Sequence, residues 1–241
     1  MKSITIISGS LIGLLSAEIL SKKYNVTIIE INQELGFPSN FPGMANKLET
    51  INDLLESKDI SKLNIFQSEN LISFRTEWFS KLLTHKLARN GVNIFHRTRI
   101  DNVSINENKI LLNLKGSNFL NKTHYTDYIL DTSDTSTLGP LNSTHTDFLL
   151  KSKLYHIPKL TTKQYFVGTC LRKDSIKLNN YELKLERSDG LVELWYYNTN
   201  EEFPNHGWIE SKSINVFYNS KIMNLEEHIS ETQKIIKKLV I

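Results

Sequence analysis

The first residues able to do chemistry are Ser8-Gly9-Ser10-Leu11-Ile12-Gly13, followed by Glu30 seventeen positions after Gly13. The spacing is that of the G-x-G-x-x-G turn that cradles a dinucleotide, with serines at two of the three glycine places. In that turn the first glycine bends the chain tightly. The second lets the backbone approach a pyrophosphate, and the third lets the helix pack on the strand. Gly13 fills the third place. Ser10 fills the second with the smallest polar substitute, a hydroxyl able to donate to a phosphate oxygen. Ser8 fills the first, and Gly9 beside it is free to take any positive φ the turn needs. The helix opened by Leu11 and Ile12 would offer unpaired N–H groups and a positive dipole end to an anion. Glu30 stands where an acid accepts hydrogen bonds from a ribose hydroxyl pair.

Elements of matching period flank these residues. Residues 3–7 alternate little and are mostly β-branched, the pattern of a strand buried on both faces of a parallel sheet. Apolar side chains at Leu11, Leu14, Leu15, Ala17 and Ile19, followed by Lys22 and Lys23, predict a helix over 11–22. Val26–Ile29 predicts a second buried strand, which completes a βαβ unit. Residues 48–55 form a short predicted helix. "RTEWFSKLLTHKLARNG" predicts a longer one, with Thr76 placed to cap it, Phe79, Leu82, Leu83 and Leu87 on one face, and Gly91 at the stop. A strand follows at 92–95, then a hairpin of strands 100–105 and 110–114 around Asn106–Asn108, then a strand in "YTDYILDTSDTS" ending in a polar turn at 131–136. Beyond Pro140, alternations such as "YELKLERSDGLVELWYY" predict antiparallel strands, and the chain closes with a predicted helix over 225–239. The expected fold is α/β. A Rossmann-like parallel sheet with a β-meander (residues 1–140) precedes a smaller antiparallel, substrate-type or partner-binding region with a C-terminal helix (residues 141–241).

Residues 1–136 resemble the FAD-dependent oxidoreductases of the glutathione-reductase superfold, in the branch of aromatic hydroxylases and geranylgeranyl reductases. "SGSLIGL" is one residue from the G-G-S-x-x-G-L that members often show. "EINQELGFPSNFPGMANKLETI" is similar to the reductase segment E-x(n)-G-x-P-x-x-C-x-G. "ISFRTEWFSKLLTHKLARNGVNIFHRTRIDNV" is similar to R-x-x-F/L-x(3)-L-x(5)-G-V-x(7)-V-x-x-I. The resemblance implies FAD as cofactor, with Ser8, Gly9, Ser10, Leu11, Ile12, Gly13 and Glu30 at the nucleotide turn. It implies Arg75 at the pyrophosphate or ribose and Ile100 meeting the adenine through its backbone. Asp131–Asp134 would stand for the A-x-G turn near the adenosine. Phe41 stands where the reductases carry cysteine, Asp134 replaces a glycine, and no late G-D-A segment occurs.

The 241 residues hold 29 basic and 26 acidic side chains, a formal net charge of +3 with no basic block, so nucleic acid is not an expected partner. The one cysteine, Cys170, lies in a strand pattern and reads as a buried inert thiol; it gives no support for an oxidising compartment. No signal-peptide pattern and no membrane-length apolar window occur, so a cytoplasmic protein is expected. No His/Cys pair has metal spacing. His85, His96 and His206 read as solvated or turn residues, and the aromatics Trp195, Tyr196 and Tyr197 as split between core and surface. The leading expectation is an FAD-binding oxidoreductase acting on an apolar isoprenoid or aromatic small molecule, with no catalytic acid or base assignable. Two alternatives stay open. One is a shortened flavoprotein relative without catalysis, serving as a binding or partner subunit; under the leading reading itself, a partner chain could complete the flavin site. The other is an NAD(P)-binding protein, in which Glu30 would favour NAD.

Overall fold

A computed structural model describes residues 1–37, 39–117, 119–133, 152–157, 161–197 and 202–239. The chain opens with β1 (Ser3–Ile7), α1 (Leu11–Leu20) and β2 (Asn25–Ile29). Short pieces follow: β3 (Met44–Ala45), α2 (Leu48–Leu54), α3 (Ser57–Ile60), a 3-10 turn at Ser61–Leu63, β4 (Phe66–Gln67) and β5 (Ile72–Ser73). The longer α4 (Thr76–Arg89) leads to β6 (Asn93–Phe95). Next come β7 (Thr98–Asn106), β8 (Lys109–Gly116), β9 (Phe119–Thr126), β10 (Tyr128–Asp131) and β11 (Leu154–His156). The remainder is β12 (Thr162–Leu171), the single-turn α5 (Arg172–Ser175), β13 (Leu183–Glu186), β14 (Leu191–Tyr197), β15 (Glu210–Asn219), β16 (Lys221–Ile222) and α6 (Leu225–Leu239).

These elements form two compact units, both discontinuous in sequence. One comprises Met1–Phe37, Ser80–Lys159 and Ile229–Ile241; the other comprises Pro38–Phe79 and Leu160–His228. A single division at residue 140 is what the sequence suggests, and that position lies outside the described residues. The second unit also draws in residues 38–79, because Met44 and Leu71 pack into the core of its antiparallel sheet.

In the first unit β1, β2, β6, β10 and β11 make a parallel sheet in the order β11-β10-β1-β2-β6. Strands are added on one side of β1 and then on the other, so the order reverses at the β1–β10 boundary. The crevice at the carboxyl ends of the strands at such a switch point is the general ligand site of open α/β sheets. Ile4, Ile6, Ile7, Val26, Ile28 and Ile29 are all buried, as two-sided coverage of a parallel sheet requires. A three-stranded antiparallel meander, β7-β8-β9, closes over Ile7, Ile29 and Ile129 with Ile100, Ile110 and Leu112. Its first turn is type I′, with Glu107 and Asn108 both at positive φ. The expected β-meander is thus present, with its third strand, β9, in the polar stretch Phe119–Thr126, which the sequence reading does not assign to a strand.

α1 ends at Leu20, two residues short of the expected end, because Lys23 and Tyr24 both return their N–H groups to the Leu20 carbonyl. α4 begins at Thr76 itself, so Arg75 rather than Thr76 holds the cap position, its carbonyl accepting from Phe79 N–H. Its other end follows expectation. Gly91 sits at φ +88, with Val92 N–H on the Leu87 carbonyl and Gly91 N–H on the Ala88 carbonyl, a Schellman stop.

The second unit is built on the antiparallel sheet β13-β14-β12-β15-β16 and a small sheet β3-β5-β4. Alternation sorts its aromatics. Trp195 joins Tyr165 and Val167 on one face, Tyr196 joins Cys170 and Leu194 on the other, and Tyr197 is exposed. Trp208 lies over Gly168, where a Cβ would fall 2.4 Å from the ring. Cys170 is buried, and burial followed by the nearby Asp174 pushes its thiol up to about 11, an inert sulfur at neutral pH.

Candidate functional site

The expected turn forms at the switch point. Ser8 follows β1 with φ +75, and Ser10 (φ −56, ψ 167) caps α1, its Oγ accepting from Gly13 N–H at 3.2 Å. The left-handed residue is therefore Ser8 and not Gly9, which corrects the role assigned to Gly9 from the sequence. Tertiary bonds hold Ser8 there: its N–H donates to the Ile29 carbonyl at 3.0 Å, and its Oγ accepts from Ser10 N–H at 3.2 Å. Gly9 is needed for space instead. A Cβ on it would fall 2.4 Å from Cγ of Leu35, whose neighbour Gly36 donates its N–H to the Gly9 carbonyl at 2.7 Å.

Gly13 carries the third-glycine role. A Cβ there would lie 2.2 Å from the Ser8 carbonyl oxygen and 2.9 Å from Thr132 Oγ1. Helix and strand approach so closely that only glycine fits. Leu11 and Ile12 bury their side chains in the core, so what they present to a ligand is their backbone. As the first two residues of α1 their N–H groups have no intrahelical partner.

Glu30 is 4% exposed, and both of its oxygens are engaged. Oε2 accepts from Gly9 N–H and Oε1 from Asn32 N–H, each at 2.7 Å. It thus ties the turn after β1 to the turn after β2.

Two residues at this site escaped the sequence reading. Thr132, just past β10, places Oγ1 2.8 Å from the Ile7 carbonyl and 3.1 Å from the Ser8 carbonyl, while Ser10 Oγ lies 3.3 Å from both its carbonyl and its hydroxyl. His156 ends β11 directly opposite Asp131. Asp131 Oδ1 accepts from Ser133 N–H (3.0 Å) and Oγ (2.6 Å), and Oδ2 lies 3.0 Å from His156 Nδ1. That hydrogen bond raises the basicity of His156, whose side chain remains about half exposed. A parallel β1–β10 pairing is the signal that would have brought Thr132 to the turn, and it is a long-range one. Asp134, the other end of the expected A-x-G turn, lies outside the described residues.

Ile100 is buried in the meander core on β7, an edge strand of its sheet. Arg75 belongs to the second unit, where its guanidinium lies 3.7 Å from Glu77 and 3.7 Å from Glu210, and its buried Nε makes no hydrogen bond. Lys212 Nζ sits 3.3 Å from Glu77. Burial pushes the Glu77 carboxyl up, and Lys212 with Arg75 outweighs it, so the group lies below its ordinary range. Phe41, at the place of the reductase cysteine, is buried in ring contact with Phe79 and His228. His85 and His96 are exposed, and His206 bonds Asp174 beside the turn closed by Gly207 N–H on the Pro204 carbonyl. Among the described residues no group of three acidic, His or Cys side chains could hold a metal, and no helix is long and apolar enough to cross a membrane.

No protein-family model and no curated protein matches the sequence. Solved structures do match the fold. The glycerol-3-phosphate dehydrogenase from Bacillus halodurans, complexed with FAD, superposes with a TM-score of 0.61 at 9% identity, over 99% of this chain and 64% of its own. The p-nitrophenol 4-monooxygenase PnpA from Pseudomonas putida DLL-E4 gives 0.60 at 10% identity, over 90% of this chain and 68% of its own. CabE, an aromatic hydroxylase from angucycline biosynthesis, gives 0.53 at 9% identity, over 98% and 60%. This chain thus spans about two thirds of the length of these proteins. The parallel sheet, the meander and the antiparallel sheet together are the fold of FAD-dependent oxidoreductases, and this chain has that fold.

Proposed function

We propose that the chain binds FAD at the carboxyl ends of β1 and β10 and serves as a flavoprotein oxidoreductase acting on an apolar small molecule. The observation that carries this reading is the turn at the switch point. There α1 begins over a glycine that admits no side chain, with its first N–H groups directed to the crevice end of the sheet. The Leu11 and Ile12 N–H groups would receive the pyrophosphate, and Glu30 the ribose of the adenosine half. Arg75 as a further cation for the phosphates rests on the family resemblance. Bound flavin would supply the hydride chemistry, and the chain would supply placement and exclusion of water. The late G-D-A acid has no counterpart in the sequence, so binding should be weak and dissociable, or complete only with a partner chain.

The test is titration of FAD into purified protein, followed by flavin fluorescence. Saturable binding is expected for the wild type. Glu30→Ala should weaken it ten- to a hundredfold, the worth of about 1.5–3 kcal/mol of charge-assisted hydrogen bonding. Absence of binding at any FAD concentration would remove the proposal. It would favour a second reading, a binding or partner subunit without flavin. That reading draws support from Ser10 Oγ and both Asp131 oxygens, which are already committed to partners within the protein.

A further inference from the structure

A second opening lies in the first unit, at the other ends of the strands. Ile4 is the second residue of β1 and pairs with Tyr128, the first residue of β10. Both line the opening, together with Leu20 from the last turn of α1 and Ile236 and Leu239 from the end of α6. Ser8 lies four residues further along the strand, roughly 13 Å away at 3.3 Å per residue. The opening is therefore separate from the nucleotide turn.

Its chemistry is one-sided. Ile4, Leu20, Ile236 and Leu239 are nearly fully buried and make an apolar wall. Three tyrosine rings surround them: Tyr24 meets Tyr128 edge-on at 6.4 Å, and Tyr128 meets Tyr155 at 6.4 Å. The cavity is small, about 100 Å³, and opens to solvent on one side, room for a narrow chain rather than for a broad ring system. Lys23 stands at the rim, exposed and, among the described residues, without an ion-pair partner. Lys2 Nζ donates to Tyr128 Oη at 2.9 Å. Among the described residues no carboxylate lines the opening. Asp127, next to Tyr128 in the chain, is held by Ser3 through its N–H at 2.7 Å and its hydroxyl at 2.8 Å. Burial pushes the Tyr155 hydroxyl up, so it stays a hydrogen-bond donor at neutral pH.

An apolar wall with phenolic donors and a free cation at its mouth suits a molecule with a hydrocarbon body and one anionic head. We propose that this opening binds an aliphatic monocarboxylate, with the chain against Ile4, Leu20 and Ile236 and the carboxylate at Lys23. The site is independent of the flavin reading, and it joins the ends of α1 and α6 around one ligand.

The probe is decanoate, kept below its micelle-forming concentration and added to the full chain without FAD, with decanol as the uncharged control. Calorimetry should show saturable decanoate binding, and melting should shift upward. Lys23→Gln should weaken decanoate by about tenfold and leave decanol unchanged. Ile19→Trp, which places an indole in the opening, should abolish binding of both. Amide signals of residues 19–24 and 236–239 should move on titration, a readout that needs no variant. Absence of saturable decanoate binding, equal decanoate affinity in wild type and Lys23→Gln, or amide shifts confined to residues 8–13 would each overturn the proposal.

Discussion

The turn after β1 and the core of the antiparallel unit each hold a costly feature, by different physical means. In the turn the cost is steric. Ser8 sits in the left-handed region, where a Cβ costs about 1–2 kcal/mol, and Gly13 lies under a carbonyl that tolerates no side chain. In the antiparallel unit the cost is electrostatic. His228 is buried between Phe41 and Phe217, and burial pushes its imidazole down to about 4. Glu193, bonded to the Trp195 indole at 2.7 Å, is raised above the ordinary carboxylate range by burial and by the nearby Glu77. Steric strain does not respond to pH, and buried ionisable groups do. Stability measured against pH therefore tells the two regions apart.

The largest effect is expected at Gly13. Gly13→Leu must drive the side chain into the Ser8 carbonyl and part the helix from the strand, at a cost of about 3 kcal/mol, the upper end of overpacking. Urea unfolding should show the same loss at pH 5 and pH 8. An unchanged midpoint would mean that the close approach is not built into the fold.

His228 comes next. Its folded pKa lies below its unfolded value of 6.5, so between about 4 and 6.5 the unfolded chain binds the proton and the folded chain does not. The stability contribution is complete above pH 6.5 and is lost as pH falls toward 4, by up to about 3 kcal/mol at 1.36 kcal/mol per unit. Glu193, with a raised value, acts in the opposite direction as pH rises. The comparison that isolates the imidazole is therefore wild type against His228→Phe. The variant should lose most of the slope between pH 6.5 and 4. Parallel curves for the two proteins would show that His228 is free to take up a proton in place.

Ser8→Gly should act in the favourable direction. It removes the left-handed penalty, but it gives up the Oγ that accepts from Ser10 N–H and loosens the unfolded chain. A net gain of about 0.5 kcal/mol is expected from thermal melts, independent of pH. A loss would show that the hydroxyl matters more than the backbone angle.

The smallest stability effect belongs to Arg75. Its ion pairs are long, at 3.7 Å, and partly exposed, so Arg75→Ala should change stability by less than about 0.5 kcal/mol. If Arg75 serves the cofactor, the same variant should still weaken FAD binding in the fluorescence titration. A large stability loss would instead make it a structural cation.

Much of this architecture was legible in the sequence because its signals are local. The β-branched run of β1, the 3.6-residue period of α4 with Gly91 at its stop, and the alternation around Ser188–Gly190 each depend on near neighbours. They appear where expected within a residue or two. The third-glycine role of Gly13 was equally readable, since a small residue at that spacing has one geometric use in a βαβ unit. Tertiary structure alone decided how the turn is held. Thr132 reaches Ser8 and Ser10 only because β10 pairs in parallel with β1 across more than a hundred residues, and that pairing, with the Ile29 carbonyl, places the positive φ on Ser8 rather than on Gly9. The interleaved units were hidden for the same reason. Residues 38–79 carry no marker of their own, and they join the antiparallel sheet because Met44 and Leu71 find there the apolar surface that lets them leave water.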